Sequence, residues 1–452
     1  MKAFADISGG RLEATEYDNN FADIKPPLTT LQAQVESARC LFCYDAPCIT
    51  ACPTGIDIPG FIRGINTGNI DGAAHTILTS NILGASCARI CPVEILCEQA
   101  CVRSHEQECR PVLIGQLQQH AMDHRRDKSA QPASRAPSTG KRIAIIGSGP
   151  AGLSAAWHLA IKGHDAIIFE AADKPGGLNT YGIARYKLSQ ETVDEEIEYL
   201  MGIGGIELHC ETAIGQDISL SELRREYDAV FIAAGLQAVN YLNIEGEDSD
   251  AICNAVDYIA ELRQSHELAK LPVGRRVVVI GAGNTAVDIA TQSRQLGAEE
   301  VSMVYRRGPQ HMSATDHEQH VAKDHGVTLR YHARPARILH NHDAMTGVEF
   351  ERTHTDDQGN LSGTGEYYTL PADMVFKATG QTFIPEPFTD GETLQLSKGR
   401  IHVDDQFRTS LTHVYAGGDC VDRDDDLAVV AVQHGKLAAQ AIDLDLKAQE
   451  GQ

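Results

Sequence analysis

The chain has 452 residues, 42% hydrophobic and 22% charged, an ordinary globular composition with room for about three domains. Its formal net charge of -23 argues against a nucleic-acid partner, because phosphate binding draws on clustered Lys and Arg. The opening MKAFADISGGRLEATEYD has neither a basic leader region nor an apolar core, and no apolar run approaches the length of a spanning helix, so a cytoplasmic protein is expected.

Residues 1–30 read as a lead-in without pattern. From 31 to 127 the chain is expected to form short helices, as in TTLQAQVESARC and PGFIRGINTGNIDGAAHTIL, interrupted by cysteine runs. Twelve cysteines in a reducing compartment do not suggest a disulfide framework, and eight of them fall between Cys40 and Cys101. The first run is C-x2-C-x4-C-x3-C-P (Cys40, Cys43, Cys48, Cys52) and the second C-x3-C-P-x4-C-x3-C (Cys87, Cys91, Cys97, Cys101). Zinc sites favour two separated pairs, whereas dense runs with Cys-Pro suit [4Fe-4S] clusters. Eight thiols suffice for two clusters, but counting does not settle how they are shared, since the fourth cysteine of a ferredoxin run ligates the other cluster. Cys210, Cys253 and Cys420 share no spacing and read as small buried side chains.

The Ser-, Ala- and Pro-rich stretch at 128–140 is the predicted linker. After it KRIAIIGSGPAGLSAAWHLAIKGHDAIIFE reads as strand, glycine turn, helix and strand. Gly147, Gly149 and Gly152 occupy the dinucleotide positions, where amides at a helix start receive a pyrophosphate. Glu170 ends the next strand, placed to bind a ribose diol. A second unit, RRVVVIGAGNTAVDIATQSRQLGAEEVSMVYRR, carries Gly281, Gly283, Asn284, Thr285 and Ala286. Its strand ends in Arg306 and Arg307, which would accommodate the 2′-phosphate of NADPH; two solvated arginines are the plain alternative, and NADH then stays open. Short strands ending in AAG (233–235), ATG (Ala378, Thr379, Gly380) and AGGD (through Gly418 and Asp419) let backbone approach a cofactor. Asp419 suits a flavin ribityl chain. FAD at the first site and a nicotinamide at the second form a relay, because a flavin accepts an electron pair and releases electrons singly to iron-sulfur clusters. No catalytic side chain is identified beyond the flavin itself.

The cysteine runs, GSGPAGL, Glu170, KPGGLNTYGIARYKL, GAGNTAVD, VYRR, ATG and AGGD together resemble, over residues 31–441, the small subunit of bacterial glutamate synthase and the N-terminal part of dihydropyrimidine dehydrogenase. The fold class this implies is α/β: an all-helical double [4Fe-4S] domain (31–127), then two Rossmann-like domains, FAD-binding at 141–265 and 371–452 with an NAD(P)H-binding domain at 266–370 inserted in it. The resemblance adds flavin contacts at Gly177, Leu178 and Lys187. It also matches Gln118, in IGQLQQHAMD, to a glutamine that ligates a cluster in dihydropyrimidine dehydrogenase. One cluster would then take Cys40, Cys43, Cys48 and Cys101 and the other Cys52, Cys91, Cys97 and Gln118, leaving Cys87 free; a plain reading makes Cys87 the eighth ligand. Ala184 replaces a proline common in the family, and Ser313 stands where NADPH-using relatives often carry arginine. The function implied is an electron-input subunit. It would oxidise NAD(P)H and pass electrons through FAD and two clusters to a catalytic FMN/iron-sulfur partner subunit that reduces uracil or thymine in pyrimidine degradation. The rival readings are a glutamate synthase small subunit, a stand-alone NAD(P)H:ferredoxin or acceptor oxidoreductase, and a zinc-binding scaffold.

Overall fold

The computed structural model describes residues 6–105, 109–342, 344–356, 358–389 and 393–450. They form two compact units, each containing a five-stranded parallel sheet.

One unit comprises Lys25–Thr180, Lys187–Gln237 and the chain from Thr382 onward. Its N-terminal part is helical: Thr30–Ser37, Ile58–Asn66, Ile70–Ser80, Gly84–Ile90 and Ile114–Asp123. Local chemistry starts these helices. The Asp57 carboxylate accepts from Gly60 N at 2.9 Å and the Asn69 amide oxygen from Gly72 N at 3.1 Å, satisfying donors that the first turn leaves open. Ile58, Phe61, Ile62 and Ile65 recur on one face of their helix and are all buried, as helical periodicity requires. The sheet runs Val414–Ala416, Ala229–Ile232, Arg142–Ile146, Asp165–Phe169, Ile206–His209. Its edge strand thus comes from near the C-terminus and its other strands from 142–232. The strands at 142 and 165 lie inside the sheet and are covered on both faces, which explains their unbroken apolar sequence. Helix Ala428–Glu450 packs on Pro150–Ala160 so closely that a Cβ on Gly435 would lie 2.1 Å from Ala151 O.

Residues 128–140 form neither helix nor strand, but they are held down. Tyr199 Oη donates to Ala130 O at 2.9 Å and Trp157 Nε1 to Gln131 Oε1 at 3.0 Å.

The other unit comprises the described residues up to Ile24, Tyr181–Tyr186 and Ala238–Gln381. Its parallel sheet has the order Val327–Arg330, Glu300–Val304, Arg276–Gly281, Met374–Ala378, Ile252–Asn254. An antiparallel sheet of Ala333–Asn341, Ala344–Thr355 and Leu361–Pro371 accompanies it. Two expected boundaries need correction. Strand Ile252–Asn254 pairs with Met374–Ala378, so this unit is wider than 266–370; a three-residue strand is too short to give a period in the sequence. The expected patternless lead-in is also part of it. Ile7–Ser8 pairs antiparallel with Val273–Gly274, and Tyr17 and Phe21 are buried in the same core as Val273 and Leu296. Three anchors separated by polar residues make no apolar run, which is why the segment looked blank.

Removing one of those anchors leaves a cavity. Phe21→Ala is expected to destabilise this unit by about 3 kcal/mol. The exposed Asp18→Ala should change it by less than about 0.5 kcal/mol, both read from urea midpoints.

Candidate redox sites

The first thiol group is assembled by a turn and a distant segment. Cys40, Cys43, Cys48 and Cys101 line one cavity, walled by Leu41, Ile58, Ile62 and Val102. Phe42 takes a left-handed φ of 51°, and its amide donates to Cys40 Sγ at 3.5 Å, wrapping the backbone round the sulfur. Arg103 Nε donates to Arg39 O at 2.9 Å, which pins the chain beside Cys101 to the chain beside Cys40. Burial raises the Cys48 thiol to about 11, with the nearby Cys101 and Cys40 sulfurs adding to it. Burial raises Cys40 also, with Cys101 and Cys43 acting the same way against a hydrogen bond from Phe42. Thiols raised in this way, as Cys40 and Cys48 are, are stabilised as thiolates by a cationic centre.

Cys52, Cys87, Cys91 and Cys97 form a second group. Burial raises Cys91, and the sulfurs of Cys87, Cys97 and Cys52 raise it further. Burial pushes Cys87 up to about 12, with Glu196 and Cys52 contributing in the same direction. Gln118 is buried, and its Nε2 donates to Gly84 O at 2.8 Å, which fixes the amide and leaves its carbonyl oxygen as the remaining donor atom. Among the described residues, no group of three or more His, Cys, Asp or Glu side chains is placed to share a single metal ion.

In the same unit, the strand ends at Ile146 and Ile232 flank the point where strand order reverses, the place where α/β sheets bind ligands. Gly147, with φ 97°, passes so near Ala233 that a Cβ would lie 2.5 Å from its carbonyl oxygen. Gly152 is equally constrained, its Cβ position 2.0 Å from Gly147 O. Gly177 lies against Gly149, since a Cβ there would be 2.7 Å from Gly149 Cα. Leu178 is exposed and Lys187 half-buried. Glu170 accepts from Ser148 N at 2.8 Å, Ser148 Oγ at 2.5 Å and Ala172 N at 2.9 Å, so its carboxylate is oriented at the strand end. Gly418, with φ 78°, donates its amide to His434 Nδ1 at 3.1 Å. Burial pushes the neighbouring Asp419 up to about 6, raised also by Asp426 and lowered by Arg400. The Arg400 guanidinium is itself engaged by Asp426 at 2.5 and 2.7 Å.

The other unit holds a cleft of about 670 Å³ at its own point of strand reversal. Gly281, Gly283, Thr285, Arg306, Ser313 and the Ala378–Thr379–Gly380 turn line it. Gly281 has φ 150°, and a Cβ would lie 2.1 Å from Ala378 O. Asn284 starts the helix Asn284–Gln295 and is exposed, but it and Arg307 are not among the lining residues. Ala184 is fully buried with Tyr186 and Val321. Segment KPGGLNTYGIARYKL is therefore divided: Leu178 and Lys187 belong to the unit with Glu170, Tyr181–Tyr186 to the unit with the cleft.

Residues 141–435 match the family model described as pyridine nucleotide-disulphide oxidoreductase. The chain belongs to this family. Residues 17–130 match a second model, dihydropyrimidine dehydrogenase domain II, 4Fe-4S cluster. The glutamate synthase [NADPH] small chain of Escherichia coli K12 is 33% identical over 443 residues, covering 93% of each chain. The NAD-dependent dihydropyrimidine dehydrogenase subunit PreT of Salmonella typhimurium LT2 is 33% identical over 426 residues, covering 94% of this chain and 97% of the relative. Among solved structures, Mycobacterium tuberculosis FprA in complex with NADPH aligns with TM-score 0.58 and 21% identity, over 70% of this chain and 86% of that one. That likeness is one of fold.

The protein is thus an NAD(P)H-dependent flavin oxidoreductase with iron-sulfur clusters, and the donor sets above suit its cofactors. A turn stripped of Cβ atoms and an oriented strand-end carboxylate suit the pyrophosphate and ribose of FAD. Grouped soft thiolates suit iron. Arg334, Lys377 and Tyr241 also line the nicotinamide-type cleft and escaped the sequence reading, because they lie outside any glycine motif. No helix among the described residues is long and apolar enough to cross a membrane.

Gly281→Ala should weaken NAD(P)H binding at least about tenfold, equivalent to ~1.4 kcal/mol, without changing flavin content. Titration of intrinsic NAD(P)H fluorescence measures the first and the bound-flavin absorbance ratio the second.

Proposed function

We propose that the chain is the electron-input subunit of a bacterial dihydropyrimidine dehydrogenase: it oxidises NAD(P)H and supplies electrons to a partner subunit that carries FMN and iron-sulfur and reduces uracil or thymine. The observation that favours this over the equally similar glutamate synthase small chain is Gln118, buried and bonded to Gly84 O of the helix that carries Cys87. On this reading Cys40, Cys43, Cys48 and Cys101 hold one [4Fe-4S] cluster and Cys52, Cys91, Cys97 and Gln118 the other. Cys87 is a buried neighbour whose thiol stays protonated.

Gly147, Gly149, Gly152, Glu170, Gly177, Leu178, Lys187, Gly418 and Asp419 would hold FAD, which supplies the exchange between hydride and single-electron chemistry. Gly281, Gly283, Asn284, Thr285, Arg306, Arg307 and residues 378–380 would hold the nicotinamide dinucleotide. The nicotinamide domain is then an insertion in the flavin domain, a reading supported by the strand at 414–416 completing the sheet begun at 142. Cytoplasmic pyrimidine degradation is the setting this function implies.

Uracil-dependent NAD(P)H oxidation is expected only when the co-purified partner is present. Recovery of a glutamine-hydrolysing partner, with no uracil-dependent turnover, would sink the proposal in favour of the glutamate synthase reading. Gln118→Ala should lose one cluster by iron content and EPR, while Cys87→Ser should keep both. Arg306→Ala should lower kcat/KM for NADPH at least about tenfold, ~1.4 kcal/mol, with NADH changed by less than about twofold, if Arg306 reads a 2′-phosphate. Equal losses with both donors would remove that role.

A further inference from the structure

Helix Ala428–Glu450 touches two sites from two of its faces. At His434 it receives the amide of Gly418, in the turn before Asp419, at 3.1 Å. Two residues on, Lys436 Nζ donates to Ser80 O at 3.2 Å, at the end of helix Ile70–Ser80. Ser80 Oγ in turn donates to Gly55 O at 3.4 Å, and Gly55 N donates to Cys52 O at 2.9 Å. The ammonium therefore stands at the loop that carries Cys52.

The second thiol group has Glu94 and Glu98 beside it in sequence and Glu196 bonded to the helix that carries Cys87, with the Arg89 guanidinium on that same helix. Reduction of a cluster there adds negative charge where the dielectric is low. A half-buried ammonium at the loop that carries Cys52 works against that penalty.

We propose that Lys436 is a positioning residue that raises the reduction potential of the cluster held through Cys52, fitting it to take electrons from the flavin. The inference rests on the ligand set proposed above. It is separate from the question of the partner and final acceptor.

The test is an EPR-monitored redox titration of the full chain with flavin and clusters in place. Lys436→Met should make one cluster about tenfold harder to reduce at a fixed potential, about 59 mV for a one-electron couple, while the other cluster keeps its midpoint and iron content is unchanged. Lys436→Arg should stay near the wild-type value. Unchanged midpoints in Lys436→Met overturn the proposal. So does loss of iron in Lys436→Met combined with wild-type midpoints in Lys436→Gln, which removes the charge with a smaller side chain. Cys52→Ser separates the two levels of failure. If both clusters persist in it, the ligand set itself is wrong; if one is lost while Lys436→Met shifts nothing, the lysine inference alone fails.

Discussion

A carboxylate buried among backbone amides is costly unless those amides hold it. Glu196, on helix Gln190–Met201, is such a group: it accepts from Ala85 N at 2.8 Å, from Ser86 N at 3.2 Å and from the Ser86 hydroxyl. Burial raises its pKa, and these donors act in the opposite direction. What it secures is helix Gly84–Ile90, which carries Cys87, ends at Cys91 and offers Gly84 O to Gln118. One side chain from the sheet-bearing part of the unit thus fixes the backbone of the cysteine-bearing part. An electron carrier needs this more than a stable fold does, because transfer between centres depends on their separation being held.

The two glycine turns solve one geometric problem twice. In each sheet the strand carrying the motif lies beside a strand that arrives from far along the chain, and the two ends approach until no Cβ fits between them. Gly147 meets Ala233 O and Gly281 meets Ala378 O in the same relation. What differs is the next strand end. Glu170 is locked by three donors, ready to accept hydrogen bonds from a diol, whereas Arg306 offers positive charge in a cleft. On the proposed reading a shared backbone device would serve two dinucleotides, and the side chain at the next strand end would distinguish them.

The sequence made these turns readable because their physics is local. Apolar runs covered on both faces, and glycines at strand ends, leave the same mark wherever they occur. The grouping of Cys40, Cys43 and Cys48 was equally close to the surface of the sequence. Its fourth member, Cys101, is brought in by a bond from Arg103 to Arg39 that no spacing rule announces. Non-local and thinly patterned elements were missed for the same reason. The strand at 252–254 is three residues long, and Ile7, Tyr17 and Phe21 are single anchors in polar surroundings. Glu196 and Lys436 carry no mark in their own stretches of sequence of what lies across from them.

Charge pairing also decides which cations in the nicotinamide-type cleft are free to meet a phosphate. Lys377 is bound to Glu247 at 2.9 Å, and both side chains are largely buried. Arg334 is bound to Glu351 at 2.6 and 2.8 Å. Glu351 also accepts the Gly365 amide at 3.1 Å, which holds it in place to neutralise the arginine. Arg306 has no carboxylate partner among the described residues. A dianionic 2′-phosphate gains most from a guanidinium that has no competing carboxylate, so within this cleft it would turn to Arg306 before Arg334. Ser313, whose hydroxyl lies 3.2 Å from a Cβ position on Gly283, adds a hydrogen-bonding group but no charge. Among the described residues lining the cleft, Arg306 is thus the one cation without a carboxylate partner, and on the proposed reading it would accept a 2′-phosphate without requiring one. A cleft so furnished would discriminate weakly between NADH and NADPH unless a second cation, such as the neighbouring Arg307, reaches it.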